Sequence, residues 1–232
     1  MEVVLSPQFG DRLPEGVFGV LIVRGCPNRP RAAALAGPTR AVETRLRARH
    51  ATEPPDANPV GRAYAAYFKR YGQRYPVIHQ VKTILGGRPI ESPSALVQAM
   101  FAAEIDTLVL TSGHDLDALR GPLLVDIGRD GERYTKLNGK EHAIAPGDMV
   151  VRDAEGVIAS VLYGPDYRTR LHDASQAALF GAWCPAGVSA GVARAHLEGL
   201  AALIRVEWPE AAIEAPHTLS ARALRSSSGT PP

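Results

Sequence analysis

Residues Gly131–Thr169 read GERYTKLNGKEHAIAPGDMVVRDAEGVIASVLYGPDYRT, and the turns in and around this stretch set the class of the whole chain. Met149–Arg152 and Val157–Tyr163 are short β-branched runs on either side of Asp153-Ala154-Glu155-Gly156, the pattern of a hairpin. Just upstream, Arg129-Asp130-Gly131 separates Leu123–Ile127 from Arg133–Leu137. Asp-Gly accepts positive φ, so these two runs predict another hairpin. Ile105–Leu110 reads as a strand that follows a helix begun at Ser92-Pro93, with Leu96, Val97, Met100 and Phe101 as its apolar seam. Beyond Thr169, Asp173 is placed to cap a helix through Phe180, and Val188–Val206 is a long amphipathic helix.

Toward the N-terminus, Val17–Val23 is a buried strand bounded by Gly16 and Gly25-Cys26-Pro27. Thr39–His50 predicts a helix that pairs Glu43 with Arg47 at i,i+4. Asn58-Pro59 opens a helix as cap and first residue, and Gly72 closes it. Tyr64, Tyr67, Phe68 and Tyr71 share one side of that helix; such a stripe either stacks bases or joins the core. Val77–Leu85 is a further helix, stopped by Gly86-Gly87. Helices and hairpins are interleaved without regular βαβ alternation, so the class is α+β. Residues 1–75 are expected to pack as an N-terminal part on a main domain of residues 76–225, with 226–232 a disordered tail.

The 232 residues are 45 % hydrophobic, enough for a full core, and carry a formal charge of +2. That balance permits an RNA partner without demanding one. Seven arginines against the single acid Glu43 lie between Arg24 and Arg49, either a solvated face or a contact for RNA. Cys26 and Cys184 are far apart and outside metal-ligand spacing, as expected of free thiols in a reducing cytosol. The first residues lack the apolar core of a signal peptide, and no apolar run approaches the ~20 residues a membrane helix needs. A cytoplasmic protein is expected, with no membrane partner; the oligomeric state is left open.

Two polar clusters stand out. Thr111-Ser112-Gly113-His114-Asp115-Leu116-Asp117 is expected at a strand end, where sites are commonly built. His114 and the carboxylates offer acid, base and cation-binding groups, although Asp115 also fits as the cap of a short helix. Tyr163-Gly164-Pro165-Asp166-Tyr167-Arg168-Thr169 is the second cluster, where Gly-Pro would hold Asp166 rigidly; Asp166 with Arg168 also reads as a surface ion pair. The seven histidines never recur at zinc-ligand spacing, and neither a G-x-S-x-G elbow nor a P-loop is present, so no metal or cofactor is expected.

From about Val77 to Leu200 the chain resembles freestanding B3/B4 proteins, relatives of the editing domain of the phenylalanyl-tRNA synthetase beta chain. The resemblance is carried by GHDLDALRGPLLVDI (Gly113–Ile127) and by the order of features through Gly131–Thr169. It implies a mixed sheet with helices packed on it and a pocket at one sheet end. It also implies a trans-editing hydrolase that deacylates mischarged aminoacyl-tRNA at the 3′ adenosine, with tRNA as partner. An acidic pocket would suit a cationic or non-protein amino acid. Asp166 matches the acidic residue of the family's glycine loop and His114 falls in the same region as the family's His, so these two are expected to be catalytic. Backbone at Gly113 or Gly164 would bind the oxyanion, with Arg168 on a phosphate. Asp115, Tyr163, Thr169, Lys82 and Glu104 would complete the substrate site. Ser112 stands where the family has a His, and His114 where it has an aromatic residue. A non-catalytic module that binds tRNA or a synthetase is the alternative, and hydrolysis of a small amino-acid ester is a third.

Overall fold

The computed structural model describes residues 1–92 and 94–227. In chain order the elements are β1 (Val3–Leu5), α1 (Pro7–Arg12), β2 (Val17–Arg24), α2 (Ala36–His50), α3 (Pro59–Lys69), α4 (Pro76–Leu85) and α5 (Ala95–Thr107). There follow β3 (Thr111–Asp115), β4 (Leu123–Ile127), β5 (Arg133–Thr135), β6 (Glu141–Ala143), β7 (Met149–Asp153), β8 (Gly156–Ser160) and β9 (Gly164–Pro165). The chain continues through β10 (Ala177–Cys184), α6 (Ala190–Glu207), β11 (Ala212–Ile213), β12 (His217–Ser220) and α7 (Ala221–Ser227). Residues 228–232, most of the expected tail, lie outside the described residues.

One sheet has the order β1-β4-β7-β8-β9 and is mixed, because β1 joins β4 in parallel. The other has the order β11-β2-β10-β3, with β12 also on β2; β5 and β6 form a separate ribbon. Helices α5 and α6 pack on the second sheet, where the Gly19 Cα faces Leu197 and Ala193. Local chemistry explains most of the helices. Asn58 accepts from Val60 N at 2.9 Å to start α3, and Ser189 accepts from Val192 N at 3.3 Å to start α6. The aromatic stripe of α3 is core: Tyr64, Tyr67 and Phe68 are buried, and Tyr64 stacks on Tyr75 with ring centroids 4.5 Å apart.

Four expectations are corrected. Helix α5 begins at Ser94, which caps Val97 N, and runs through Ile105, so Ile105–Leu110 is no strand. Its buried face is Ala95, Leu96, Ala99, Ala102 and Ala103, while Met100 and Phe101 are only half-buried; Pro93 of the expected start lies outside the described residues. Leu108, at φ 62°, turns the chain out of the helix, and the strand that follows is the polar Thr111–Asp115 itself. The runs either side of Arg129-Asp130-Gly131 do not pair: β4 joins β1 and β7, and β5 joins β6. Arg152 ties the ends instead, reaching Asp126 at 2.9 Å and also Glu132. Segment Ala177–Phe180 belongs to β10, a strand hydrogen-bonded on both edges, where an apolar run has no period to separate it from a helix. The β7–β8 hairpin forms as expected, although β8 stops at Ser160.

Candidate functional site

Strand β3 sorts the residues of the first cluster by face. Thr111 and Gly113 look toward the helices: Thr111 Oγ1 is 2.7 Å from His196 Nε2 of α6, and a Cβ on Gly113 would meet Met100 of α5 and Leu171. Ser112 and His114 look toward the other sheet. Trp183 Nε1 donates to Ser112 Oγ at 3.1 Å, and His114 Nδ1 lies 2.7 Å from Thr169 Oγ1.

His114 and Asp166 do come together. The Thr169 hydroxyl donates to Asp166, and Thr169 N donates to the same oxygen at 3.0 Å. With its own proton committed to the carboxylate, Thr169 accepts from His114 Nδ1–H, so the three form one directed chain. His114 is 1 % exposed and Asp166 5 %. Burial holds the imidazole down at about 4, hence neutral near pH 7, and raises the Asp166 carboxyl against the lowering effect of its Thr169 bonds. The chain lies in the seam between the sheets, where Asp115 N donates to Thr169 O at 2.7 Å and His114 bridges Arg170.

Beside that seam is a pocket of about 250 Å³ with Leu110, Ser112, Ser160, Leu162, Gly164 and Trp183 in its lining. Tyr163 and Thr111 also border it, and Pro76 at the start of α4 stands at its edge. His114 and Asp166 are not among its lining residues. Ser112 and Pro165, close to them in sequence, are.

The other expected residues are distributed as follows. Arg168 makes two 2.8 Å bonds to Asp153 and one to Ala118 O, so its guanidinium is committed internally and not offered to a phosphate. Asp115 caps the turn after β3 and accepts from Ser175 Oγ at 2.9 Å. Glu104 is buried below β3, accepts from Thr111 N at 2.6 Å, and is raised to about 8 by burial. Lys82 is on the outer side of α4, 3.6 Å from Asp56 and away from the pocket lining. Gly113 is closely packed, since a Cβ would lie 2.8 Å from Leu171 Cδ1. Among the described residues no group of three His, Cys, Asp or Glu is arranged to hold a metal ion.

No family model matches the chain. Phenylalanine–tRNA ligase beta subunits do: that of Oleidesulfovibrio alaskensis is 30 % identical over 99 residues, 42 % of this chain. That of Bifidobacterium longum is 42 % identical over 41 residues, 18 % of this chain. An N-terminal fragment of the Pyrococcus horikoshii phenylalanyl-tRNA synthetase beta subunit superposes over 91 % of the chain with a TM-score of 0.52 and 12 % identity. The chain is similar to phenylalanyl-tRNA synthetase beta subunits over these stretches. It has the α+β fold of the archaeal subunit's N-terminal fragment. The aligned stretches span only 12 % and 5 % of the two bacterial subunits, and the superposition 50 % of the archaeal fragment.

Within this beta-subunit fold, the sequence reading missed a buried polar knot under the pocket. Asp148 accepts from Tyr67 Oη at 2.7 Å and from Ser160 Oγ, and burial raises it to about 6. Ser160 in turn accepts from Tyr163 N at 3.3 Å, and Tyr134 Oη donates to Gly164 O at 3.0 Å. The loop that follows β8 is therefore held from beneath. Asp148 lies just before β7, but its partner Tyr67 is 81 residues away, so no local pattern announces the pair.

Proposed function

We propose that the chain is a trans-editing deacylase, cleaving the ester between an incorrect amino acid and the tRNA 3′ adenosine. The observation that carries the reading is the pocket between Ser112 of β3 and the loop at Gly164, in a fold shared with a synthetase beta subunit. At about 250 Å³ it is below the usual range for whole cofactors and suits an amino-acid side chain, with the adenosine left outside. Leu110, Leu162 and Trp183 give it apolar walls, and the buried residues Ser112 and Ser160 put hydroxyls among them. This mixture, with no carboxylate in the lining, favours a neutral side chain over the cationic one expected from sequence.

An aminoacyl ester is already activated. Positioning a water and supplying donors to the carbonyl oxygen are sufficient, with no covalent nucleophile. Ser112 and Ser160 are the groups placed to hold that water, and backbone at Gly164 to face the oxyanion. His114, Thr169 and Asp166 act as positioning residues that fix Ser112 opposite Gly164. A non-catalytic module that binds tRNA or a synthetase remains the second reading, favoured by one observation: the ionisable groups around the pocket, His114, Asp148 and Asp166, are all bonded internally.

Deacylation by the purified protein over a panel of mischarged tRNAs tests the proposal. A small set of aminoacyl-tRNAs should be hydrolysed, and Ser112→Ala should slow kcat by roughly 10- to 100-fold. No hydrolysis anywhere in the panel, with tRNA still bound, assigns the module reading instead.

A further inference from the structure

One stretch of the chain is basic with no acid in it. Residues 57–90 contain six cationic side chains (Arg62, Lys69, Arg70, Arg74, Lys82, Arg88) and no Asp or Glu, whereas the whole chain nets only +2. This segment forms α3, α4 and their connection. Between the two helices runs a cleft of about 680 Å³, lined by Lys69, Arg74, His79 and Lys82 on apolar walls that include Tyr75 and Ile78. Asp56 is the one acid in its lining, and Lys82 is the cation paired with it. Pro76 lines this cleft and also the smaller pocket, so the two meet at the start of α4.

The arginine-rich segment from Arg24 to Arg49 looks as basic in sequence, yet folding largely neutralises it. Arg45 pairs with Asp106 at 2.7 Å, Arg47 with Glu43 at 3.4 Å, Arg29 with Glu207 at 3.7 Å, and Arg24 with Glu214. Arg49 also reaches Asp106, at 3.5 Å. In contrast, Lys69 and Arg74 have no acidic partner within ion-pair distance among the described residues, and both are exposed. A concave surface carrying unneutralised cations over apolar walls matches a strand of phosphates with bases turned inward.

We infer that the α3–α4 cleft is the RNA track of this protein: it grips the single-stranded 3′ end of a tRNA and delivers the terminal adenosine past Pro76 to the Ser112 pocket. The inference rests on the deacylase reading for its direction, but not for its test. Lys69 and Arg74 are the phosphate ligands in this account, while Lys82 stays paired with Asp56.

The experiment has two arms that fail separately. Hydrolysis of aminoacyl-adenosine, which carries no phosphate, by the wild-type protein tests the pocket alone. Binding of an uncharged tRNA transcript ending in CCA, followed by fluorescence anisotropy over a salt series, tests the cleft alone. Lys69→Glu/Arg74→Glu is expected to weaken that binding at least tenfold. It should also flatten the slope of log K against log salt by about one to two, as expected for two lost phosphate contacts. Lys69→Gln/Arg74→Gln is the check if charge reversal harms folding, with the same flattening and a smaller loss. Unchanged affinity and slope in a folded variant would overturn the inference. Poly-L-glutamate binding as tightly as the transcript would also overturn it, by assigning the cleft to an acidic protein.

Discussion

Glu104 shows how a polar residue that looks functional in sequence can be structural. It is placed one turn before the end of α5, where its carboxyl accepts the Thr111 amide and so joins the helix to β3. Its folded value of about 8 lies above the ordinary 4.5, so the folded state holds a proton that the unfolded state has released. Stability therefore falls as pH climbs from about 4.5 to about 8, and is level above that. Glu104→Gln keeps an acceptor for Thr111 and does not titrate. Thermal melts over this range should show the variant improving relative to wild type as pH rises, by at most about 1.4 kcal/mol per pH unit. A constant difference at every pH would show that Glu104 is ionised in the fold. Sequence identified Glu104 as a pocket residue because its charge was visible and its burial was not.

Strands and helices differed in how well they could be read. The caps at Asn58 and Ser189 are local chemistry, so α3 and α6 were legible within a residue or two. Strand β3 was not, because its hydroxyls and imidazole find partners on α6, β10 and the segment after β9, all distant in sequence. The pairing of β4 with β1 and β7 was hidden for the same reason. At Gly181, in the middle of β10, close packing makes a sharp prediction. An added Cβ would lie 2.5 Å from Phe18 Cζ and 3.3 Å from Ser112 Oγ. Phe18 is buried edge-on against Trp183 at 5.0 Å and has no room to retreat. Gly181→Ala should lower stability by about 1–3 kcal/mol, read as a shift in denaturant midpoint at constant m-value. A neutral result would mean that the ring is looser than drawn.

For the molecule as a whole, four buried titrating groups combine into one pH profile. His114 and His196 are both held at about 4, below their ordinary 6.5, so their stability is present above 6.5 and lost as pH falls toward 4. Glu104 and Asp148, at about 8 and about 6, act in the opposite sense, each costing stability as pH rises toward its folded value. The sum peaks near the ordinary histidine value, so melting temperature should be highest at about pH 6–7 and decline on both sides. A protein that melts higher at pH 8.5 than at pH 6.5 would contradict the burial of Glu104. That the two polar clusters meet was legible, since both border one seam. The pocket wall was not, because Ser160, Leu162 and Trp183 are unremarkable until two sheets bring them face to face.

That seam has a kinetic consequence. Strand β3 is stitched to the segment after β9 by the antiparallel His114–Arg170 bridge, which includes the bond from the Asp115 amide to Thr169 O. Anything wedged between Ser112 and Gly164 must either strain these stitches or settle against them and hold them shut. Deuterium uptake at the Asp115 amide should report which: slower labelling with a bound aminoacyl analogue means the sheets close on their guest, and faster labelling means they are prised apart.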